Sequence, residues 1–195
     1  MNNEHLLSIF RDSEALLEGH FQLTSGLHSD RYFQCAKVLQ YPHYTELLCG
    51  EIAQEFRAAG IGVVIAPALG GIVVAQEVGR QLRARTLFAE RKEGVMMLRR
   101  GFQIAKDEKV LVCEDVVTTG GSVSEVISLV RKSGGIVSGV AFIVDRSGGK
   151  VRFDMGPGGL QYSLMAMDVV AYPPAECPLC ARGLPVVKPG SRGNA

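Results

Sequence analysis

A short apolar run followed at once by acids, threonines and glycines is the most constraining feature of this chain. The residues Val-Leu-Val-Cys at 110–113 are of the kind that fills a parallel strand buried on both faces. From Ser122 onward, apolar residues recur at helical spacing. The segment Glu-Asp-Val-Val-Thr-Thr-Gly-Gly-Ser at 114–122 therefore lies at a strand-to-helix turn, which is the repeating unit of an α/β fold.

This turn has the chemistry of a ribose-phosphate site. Backbone N–H groups at a helix start have no partner within the helix, and the helix dipole favours an anion there. Gly120 and Gly121 let the backbone close around a phosphate, while the hydroxyls of Thr118, Thr119 and Ser122 add donors. The two acids accept hydrogen bonds and suit sugar hydroxyls. The alternative is an ordinary polar turn with a threonine cap and solvated acids, which needs neither the acid pair nor the paired threonines and glycines.

Apolar periodicity predicts helices and strands in alternation along the rest of the chain. The predicted helices are residues 4–17, 42–60, 72–83 and 122–133, and the predicted strands are residues 21–23, 32–35, 63–66, 86–89, 110–113, 136–144 and 161–166. A charged stretch at 90–100 reads as irregular. Strands separated by helices indicate a mostly parallel sheet, in which ligands collect at the carboxyl ends of the strands.

Composition excludes several classes of protein. The net charge of +1 leaves no basic field for nucleic acid, and no charge block suggests a membrane surface. No run of 18 apolar residues occurs, and the N-terminus lacks the layout of a signal peptide. We expect a cytoplasmic protein with small-molecule ligands and neither nucleic acid nor membrane as a partner.

The five cysteines are odd in number and scattered, which suits a reducing compartment. Cys177 and Cys180 form a Cys-x-x-Cys pair that supplies two of the four ligands a zinc ion needs. We interpret this pair, in order of preference, as structural thiols, as a redox or intersubunit pair, or as zinc ligands. The histidines His20, His28 and His43 show no metal spacing and are expected to be surface or hood residues.

The segment 114–122 resembles the phosphoribosyl-diphosphate signature of the type I phosphoribosyltransferases. That signature runs as a hydrophobic strand, two acids, two aliphatic residues, Thr-Thr, Gly-Gly, and Ser or Thr, and the match is complete. The resemblance implies an α/β fold whose mostly parallel central sheet is flanked by helices, with a small N-terminal hood. It implies a single domain over 1–195, with the hood at about 1–40, the core at about 41–170 and a tail at about 171–195.

The resemblance also implies roles for individual residues. The implied contacts with phosphoribosyl diphosphate are Arg91, Lys92, Glu114, Asp115, Val116, Val117, Thr118, Thr119, Gly120, Gly121 and Ser122, and the implied catalytic residues are Asp115, Glu114 and Lys92. Mg²⁺ is the implied cofactor, bound mainly through the substrate rather than in a protein cage.

Ala68, Leu69, Gly70 and Gly71 follow another predicted strand and match the family's pyrophosphate loop. Their glycines open the next helix, whose N–H groups are suited to a second phosphate group. Pro-x-x-Gly-Gly is also common in ordinary turns, so this loop alone does not distinguish a pyrophosphate site from such a turn. Some orotate-specific members carry a lysine at the position of Gly70.

Arg91 and Lys92 begin the second loop, which extends to Arg100. Cationic side chains stabilise leaving pyrophosphate, although a charged loop is also typical of a solvated face. In the orotate-specific members such a pair reaches the neighbouring subunit's site, which implies a homodimer with shared active sites. No anchor for the pair within its own subunit is evident from the sequence. Family members have a lysine and a histidine where this chain has valine and methionines at 95–97.

The third loop begins with Arg146, whose planar guanidinium suits a planar anion. A salt bridge from Arg146 to Asp145 or Asp168 is the alternative. The segment 23–33 resembles the hood of the orotate-specific members. The implied orotate contacts are Thr118, Arg146, Tyr32, Phe33 and Thr24.

These features together imply transfer of ribose 5-phosphate to orotate, giving orotidine 5′-monophosphate and pyrophosphate in pyrimidine biosynthesis. A phosphoribosyltransferase for another base would keep the signature but lose the Arg146 and hood contacts. A non-enzymatic regulator that senses phosphoribosyl diphosphate would need a partner surface or a DNA-binding element.

Overall fold

The computed structural model describes residues 1–23, 25–168 and 170–189. The chain forms two compact units: the hood unit, Met1–Gln40 with the segment from Asp168 onward, and the core unit, Tyr41–Met167. The described helices are α1 Asn3–Asp12, α2 Cys35–Leu39, α3 Pro42–Phe56, α4 Gly70–Leu82, α5 Gly121–Lys132 and α6 Pro178–Ala181, with a 3₁₀ turn at Pro174–Glu176. The described strands are β1 Leu16–Gln22, β2 His28–Phe33, β3 Val63–Pro67, β4 Arg85–Lys92, β5 Val95–Leu98, β6 Lys109–Val117, β7 Ile136–Asp145 and β8 Leu160–Ala166. Within these residues, no helix has the length and apolar character needed to cross a bilayer.

The core unit is built on a six-stranded sheet in the order β5-β4-β3-β6-β7-β8. All neighbouring strands are parallel except β4 and β5, which form an antiparallel pair at one edge. Both faces of the central strands are covered, because α4 packs on β3 and β6 and the apolar side of α5 joins the core around Val63 and Val112. This double burial explains the uninterrupted apolar runs, and the predicted parallel α/β sheet is confirmed.

The strand order places a topological switch between β3 and β6. From β3 the chain passes through α4 to β4 on one side, whereas β6 lies against the other side of β3. In open parallel sheets, the loops at such a switch diverge and leave a crevice at the carboxyl ends of the strands. The loops that meet here are 68–71 after β3 and the signature segment at the end of β6.

The hood unit combines an N-terminal hairpin with the C-terminal tail. Strands β1 and β2 pair antiparallel, and the ring of Phe10 from α1 packs edge-on against Phe33 with ring centroids 5.0 Å apart. The tail flanks both strands of this hairpin. Val187 N donates to His20 O, and the backbones of His28 and Tyr172 exchange two hydrogen bonds of 2.8 Å.

Several predicted elements differ from the structure. The helix predicted over 42–60 ends at Phe56, and Cys35, predicted as the end of a strand, begins α2. The first helix ends at Asp12 rather than Leu17, because Glu14 adopts a left-handed conformation with φ of 55°. Leu16 then belongs to β1 and pairs with Phe33. Its apolar spacing fits the buried side of either element, so periodicity alone could not locate the helix end.

The stretch 90–100, predicted as irregular, is largely the β4–β5 hairpin. Its two turn residues, Glu93 and Gly94, have φ of 53° and 81°, as in a type I′ turn. Such turns usually carry Asn-Gly or Asp-Gly, and the charged residues around this one concealed the strand pattern.

Candidate active site

The acid pair of the signature lies against the glycine loop that follows β3. Glu114 and Asp115 are half-buried in the last part of β6. A Cβ atom at Gly71 would lie 2.8 Å from Glu114 Oε1, and one at Gly70 would overlap the Asp115 carboxylate. Only glycine therefore allows this loop to approach the acids so closely. The loop then enters α4 at Gly70 without a side-chain cap on the helix start, as expected for a group of N–H donors that faces a ligand.

The environment of Glu114 changes its expected chemistry. Burial, and then the neighbouring Asp115 carboxylate, raises the pKa of Glu114 from 4.5 to about 9. Glu114 is therefore protonated at neutral pH in the unliganded protein and donates as well as accepts. A sequence pattern does not report this desolvation, and Glu114 Oε1 accepts a hydrogen bond from Asp115 N at 3.1 Å.

The phosphate cradle is a small pocket at the start of α5. It has a volume of 80 Å³ and is lined by Glu114 and residues 116–123. Ligand pockets for whole small molecules are usually several hundred Å³, so this volume suits a single phosphate group. The helix cap is Gly120, in a left-handed conformation and without a side-chain cap bond, so the alternative with Thr118 as the cap is wrong. Thr118 and Thr119 are exposed and line the pocket.

Gly120 is also constrained by packing that the sequence did not reveal. Its φ of 76° suits glycine, and a Cβ atom there would lie 2.8 Å from the Phe153 ring and from Val151 Cγ1. Phe153 is buried in the core and belongs to the segment between β7 and β8. No sequence signal links these distant residues to the cradle.

Arg146 lies beside the cradle through strand register. Val117 of β6 pairs with Asp145 of β7, and Arg146 N donates to Val117 O at 2.8 Å. Arg146 and Thr118 are therefore neighbours at the carboxyl ends of adjacent strands. Asp145 is 2% exposed, and its carboxylate accepts hydrogen bonds from Ser147 N at 2.8 Å, Ser147 Oγ at 2.6 Å and Gly149 N at 3.1 Å. Asp145 thus shapes the loop that carries Arg146, a role that sequence reasoning missed.

The β4–β5 hairpin within residues 90–100, called the charged hairpin here, is anchored within its own chain, contrary to expectation. The Arg91 guanidinium donates to both carboxylate oxygens of Glu125 on α5, each at 2.7 Å, and to Gly94 O at 3.0 Å. Glu90 pairs with Arg99 at 3.3 Å and with Arg100 at 3.2 Å. Lys92 is exposed at the end of β4. The partner of Arg91 lies 34 residues away, which is why sequence analysis did not find it.

The predicted orotate contacts of the hood belong to the other unit. Phe33 is 5% exposed and packs on Phe10, so its ring serves the interior of the hood unit. Tyr32 is half-buried, and its hydroxyl donates to Gln34 Oε1 at 3.4 Å. Thr24 lies outside the described residues. The orotate contacts of these residues stay predictions.

A second group of side chains, in the hood unit, joins the predicted Cys177 and Cys180 pair to two histidines. His20 and His28 lie in the hood unit, in line with the expectation of surface or hood residues, but at 4% and 7% exposed they are buried. They lie together with Cys177 and Cys180, and the potential ligand atoms of the four residues are all within 4.8 Å of one another. Sequence spacing could not reveal this group because the two pairs come from opposite ends of the chain. Exposed His43 lies outside it.

Comparison with known proteins agrees with this site. The model of the phosphoribosyl transferase domain family matches residues 43–161, which include the glycine loop, the charged hairpin, the signature and Arg146. The chain belongs to the phosphoribosyl transferase family. The orotate phosphoribosyltransferase of Chlorobaculum parvum is 60% identical over 195 residues, covering 100% of this chain and 99% of that protein. The enzyme of the same name from Pelotomaculum thermopropionicum is 57% identical over 192 residues, 98% of this chain and 99% of that protein.

The fold of this phosphoribosyltransferase is shared by enzymes that use different bases. The crystal structure of orotate phosphoribosyltransferase from Aeropyrum pernix has a TM-score of 0.67 at 22% identity and covers 83% of this chain and 93% of that one. Adenine phosphoribosyltransferase from Rhodothermus marinus also has a TM-score of 0.67, at 19% identity, covering 85% of this chain and 100% of that one. The fold therefore does not distinguish the base, whereas the full-length relatives confirm the predicted resemblance to the orotate branch.

Proposed function

We propose that this chain transfers the ribose 5-phosphate group of phosphoribosyl diphosphate to orotate, giving orotidine 5′-monophosphate and pyrophosphate in pyrimidine biosynthesis. The observation that carries the proposal is the meeting of the acid pair, the phosphate cradle and the glycine loop at the switch point between β3 and β6. The names of the full-length relatives support orotate as the base.

The substrate fits the site in one direction. Its 5′-phosphate occupies the cradle at the start of α5, where uncapped N–H groups and the exposed threonines donate to its oxygens. The ribose hydroxyls lie on Glu114 and Asp115, one of which donates as well as accepts. Pyrophosphate then extends toward Gly70 and Gly71, whose loop begins α4 directly beside the acids.

The acids also fit Mg²⁺ as a cofactor. The side chains beside the glycine loop offer only carboxyl oxygens, the donors that this hard cation prefers, and there is no competing thiolate or imidazole in the described lining of the cradle. Substrate oxygens and water would supply most of the ligands of the ion, with the Asp115 carboxylate as the protein group beside them. When bound, Mg²⁺ supplies positive charge that neutralises the leaving pyrophosphate.

The residues of the chain stabilise a charge that develops at the ribose. Breaking the bond between ribose C1 and the pyrophosphate oxygen leaves an oxocarbenium-like centre, and the Asp115 carboxylate offers it a nearby negative charge. Lys92 balances the charge gained by pyrophosphate. Orotate N1 then forms the new bond at C1, its electron pair neutralises the cation, and the proton that N1 carried passes to a pyrophosphate oxygen or to water. Closure of the charged hairpin would keep water from reaching that centre.

Base selection rests on Arg146 and the hood. Arg146 lies next to Thr118 through the β6–β7 register, so a base held there would also border the cradle. Its guanidinium matches the planar carboxylate of orotate. Tyr32 is the hood aromatic with an exposed portion and is the better candidate for contact with the pyrimidine ring.

The active form proposed here is a cytoplasmic homodimer in which Lys92 serves the neighbouring subunit's site. Lys92 is exposed at the end of β4, and the adjacent Arg91 is held by Glu125, so the hairpin is oriented while its lysine stays accessible. None of the five cysteines, all of which lie in the described residues, is in a disulfide, as suits a reducing compartment.

An absorbance assay that follows loss of orotate in the presence of phosphoribosyl diphosphate and Mg²⁺ tests the proposal directly. Orotate should be consumed with equal release of pyrophosphate, and adenine or uracil should not replace it. Consumption of another base would identify a different phosphoribosyltransferase. Tight binding of phosphoribosyl diphosphate without turnover of any base would favour a regulator.

A further inference from the structure

Four side chains of the hood unit converge on one point with the chemistry of a metal site. His20 lies on β1, His28 on β2, Cys177 directly before α6 and Cys180 within α6. His20 Nε2 lies 2.9 Å from His28 Nδ1, 3.5 Å from Cys177 Sγ and 3.6 Å from Cys180 Sγ. Cys180 Sγ lies 3.3 Å from His28 Nδ1. Four potential ligand atoms therefore surround a single small volume.

These distances match a tetrahedron of zinc ligands. Zinc bonds of about 2.0–2.1 Å to nitrogen and about 2.3 Å to sulfur place nitrogen and sulfur atoms about 3.5 Å apart and two nitrogens about 3.3 Å apart. Three of the four nitrogen–sulfur separations run from 3.3 to 3.6 Å, and all the ligand atoms lie within 4.8 Å of one another. Only a small outward movement of one imidazole is needed to open the 2.9 Å nitrogen pair.

The hydrogen bond behind His20 prepares it as a ligand. Its Nδ1 lies 2.8 Å from Leu184 O, and a carbonyl oxygen only accepts, so Nδ1 carries the proton. The lone pair of Nε2 then faces the cluster. Metal-binding histidines are usually oriented in this way, through a backbone carbonyl or carboxylate on the second ring nitrogen.

The burial of these side chains also favours a bound metal ion. His20, His28 and Cys177 are 4%, 7% and 3% exposed, and only Cys180 reaches solvent. Three buried polar side chains must offset their desolvation, and a bound cation would satisfy all four potential ligands at once. Two soft sulfurs and two nitrogens in tetrahedral array favour zinc over Mg²⁺ or Ca²⁺.

We propose that the hood unit holds a structural zinc ion through His20, His28, Cys177 and Cys180. Four protein ligands leave no open position, so the ion stabilises structure rather than taking part in the transfer reaction. It joins the β1–β2 hairpin to α6 and so ties the C-terminal tail to the N-terminal strands. The small hood unit gains folding free energy from the metal that its limited apolar interior does not supply. This proposal is independent of the base that the enzyme uses.

Metal content of the tag-free protein, purified in reducing buffer, gives the first test. Elemental analysis should find about one zinc per chain, because the cluster provides the four ligands of one closed site. The variant Cys177→Ser/Cys180→Ser should lose that zinc. Matched controls are Cys35→Ala, a buried thiol of the same unit outside the cluster, and His43→Ala, an exposed histidine. Both controls should retain the metal.

Cobalt replacement gives a second test that does not rely on a variant that folds. Protein produced with Co²⁺ should show the visible absorption of tetrahedral cobalt and the near-ultraviolet charge-transfer band of cobalt thiolates. Chelation should abolish both signals, lower the melting temperature and expose two further thiols to alkylation.

The proposal is overturned if the reduced protein contains no zinc and binds neither Zn²⁺ nor Co²⁺ stoichiometrically. Recovery of Cys177 and Cys180 as a disulfide after trapping thiols in intact cells would likewise replace the metal site with a redox pair.

Discussion

The raised pKa of Glu114 predicts an unusual dependence of stability on pH. In the folded protein Glu114 keeps its proton up to about pH 9, whereas in the unfolded chain it loses that proton near pH 4.5. Between these values the folded state binds more protons, so the free energy of unfolding falls as pH rises. Below pH 4.5 Glu114 causes no loss of stability, and above pH 9 the loss is complete.

The change in the free energy of unfolding per pH unit gives the size of the effect on stability. One proton difference corresponds to about 1.4 kcal/mol per pH unit, so Glu114 lowers the free energy of unfolding by up to about 3 kcal/mol between pH 6 and pH 8. Replacement by glutamine keeps the side-chain shape and removes the titration. Glu114→Gln should therefore flatten this part of the stability curve and be more stable than wild type at pH 8.

Urea unfolding at pH 6, 7 and 8 measures the difference. Asp115→Asn is the matched comparison, because burial is the larger cause of the shift and the Asp115 charge the smaller one. The free energy of unfolding of that variant should still fall as pH rises, but the fall should end at a lower pH than in wild type. Parallel curves for Glu114→Gln and wild type would refute the reasoning and show that Glu114 is ionised in the folded protein.

Four further predictions concern the proposed active site. Asp115→Asn should fold and lose about 10- to 150-fold in rate, the equivalent of one charge-assisted contact of about 1.5–3 kcal/mol, and unchanged turnover of orotate would remove Asp115 from the transition state. Arg146→Ala should raise the KM for orotate far more than that for phosphoribosyl diphosphate, and an equal rise in both would make Arg146 structural. Gly120→Ala should cost at least about 1–3 kcal/mol in urea unfolding, because its Cβ meets the Phe153 ring, and wild-type stability would contradict the packing described. Lys92→Ala mixed with Asp115→Asn under subunit exchange should regain activity, since each heterodimer then holds one intact site, whereas persistent inactivity would place Lys92 in its own chain's site.

The sequence alone determined the features that depend on neighbouring residues. The apolar strand, the acids and the glycines of 110–122 are consecutive, so their order predicted the strand-to-helix turn, the phosphate cradle and the family resemblance. Alternating helical and strand periods predicted the parallel sheet, because each period reports which face of an element is buried. Parallel connectivity then placed the loops of Gly70, Ser122 and Arg146 at one edge.

Tertiary structure decided the features that depend on distance through space. The pKa of Glu114 reflects burial. The need for glycine at position 70, at the start of α4, reflects the nearby Asp115 carboxylate on β6. The Arg91–Glu125 ion pair and the cluster of His20 with Cys180 join residues 34 and 160 positions apart. Desolvation and ligand geometry depend on which segments the fold brings together, and one-dimensional spacing carries no record of that when the partners lie on different elements.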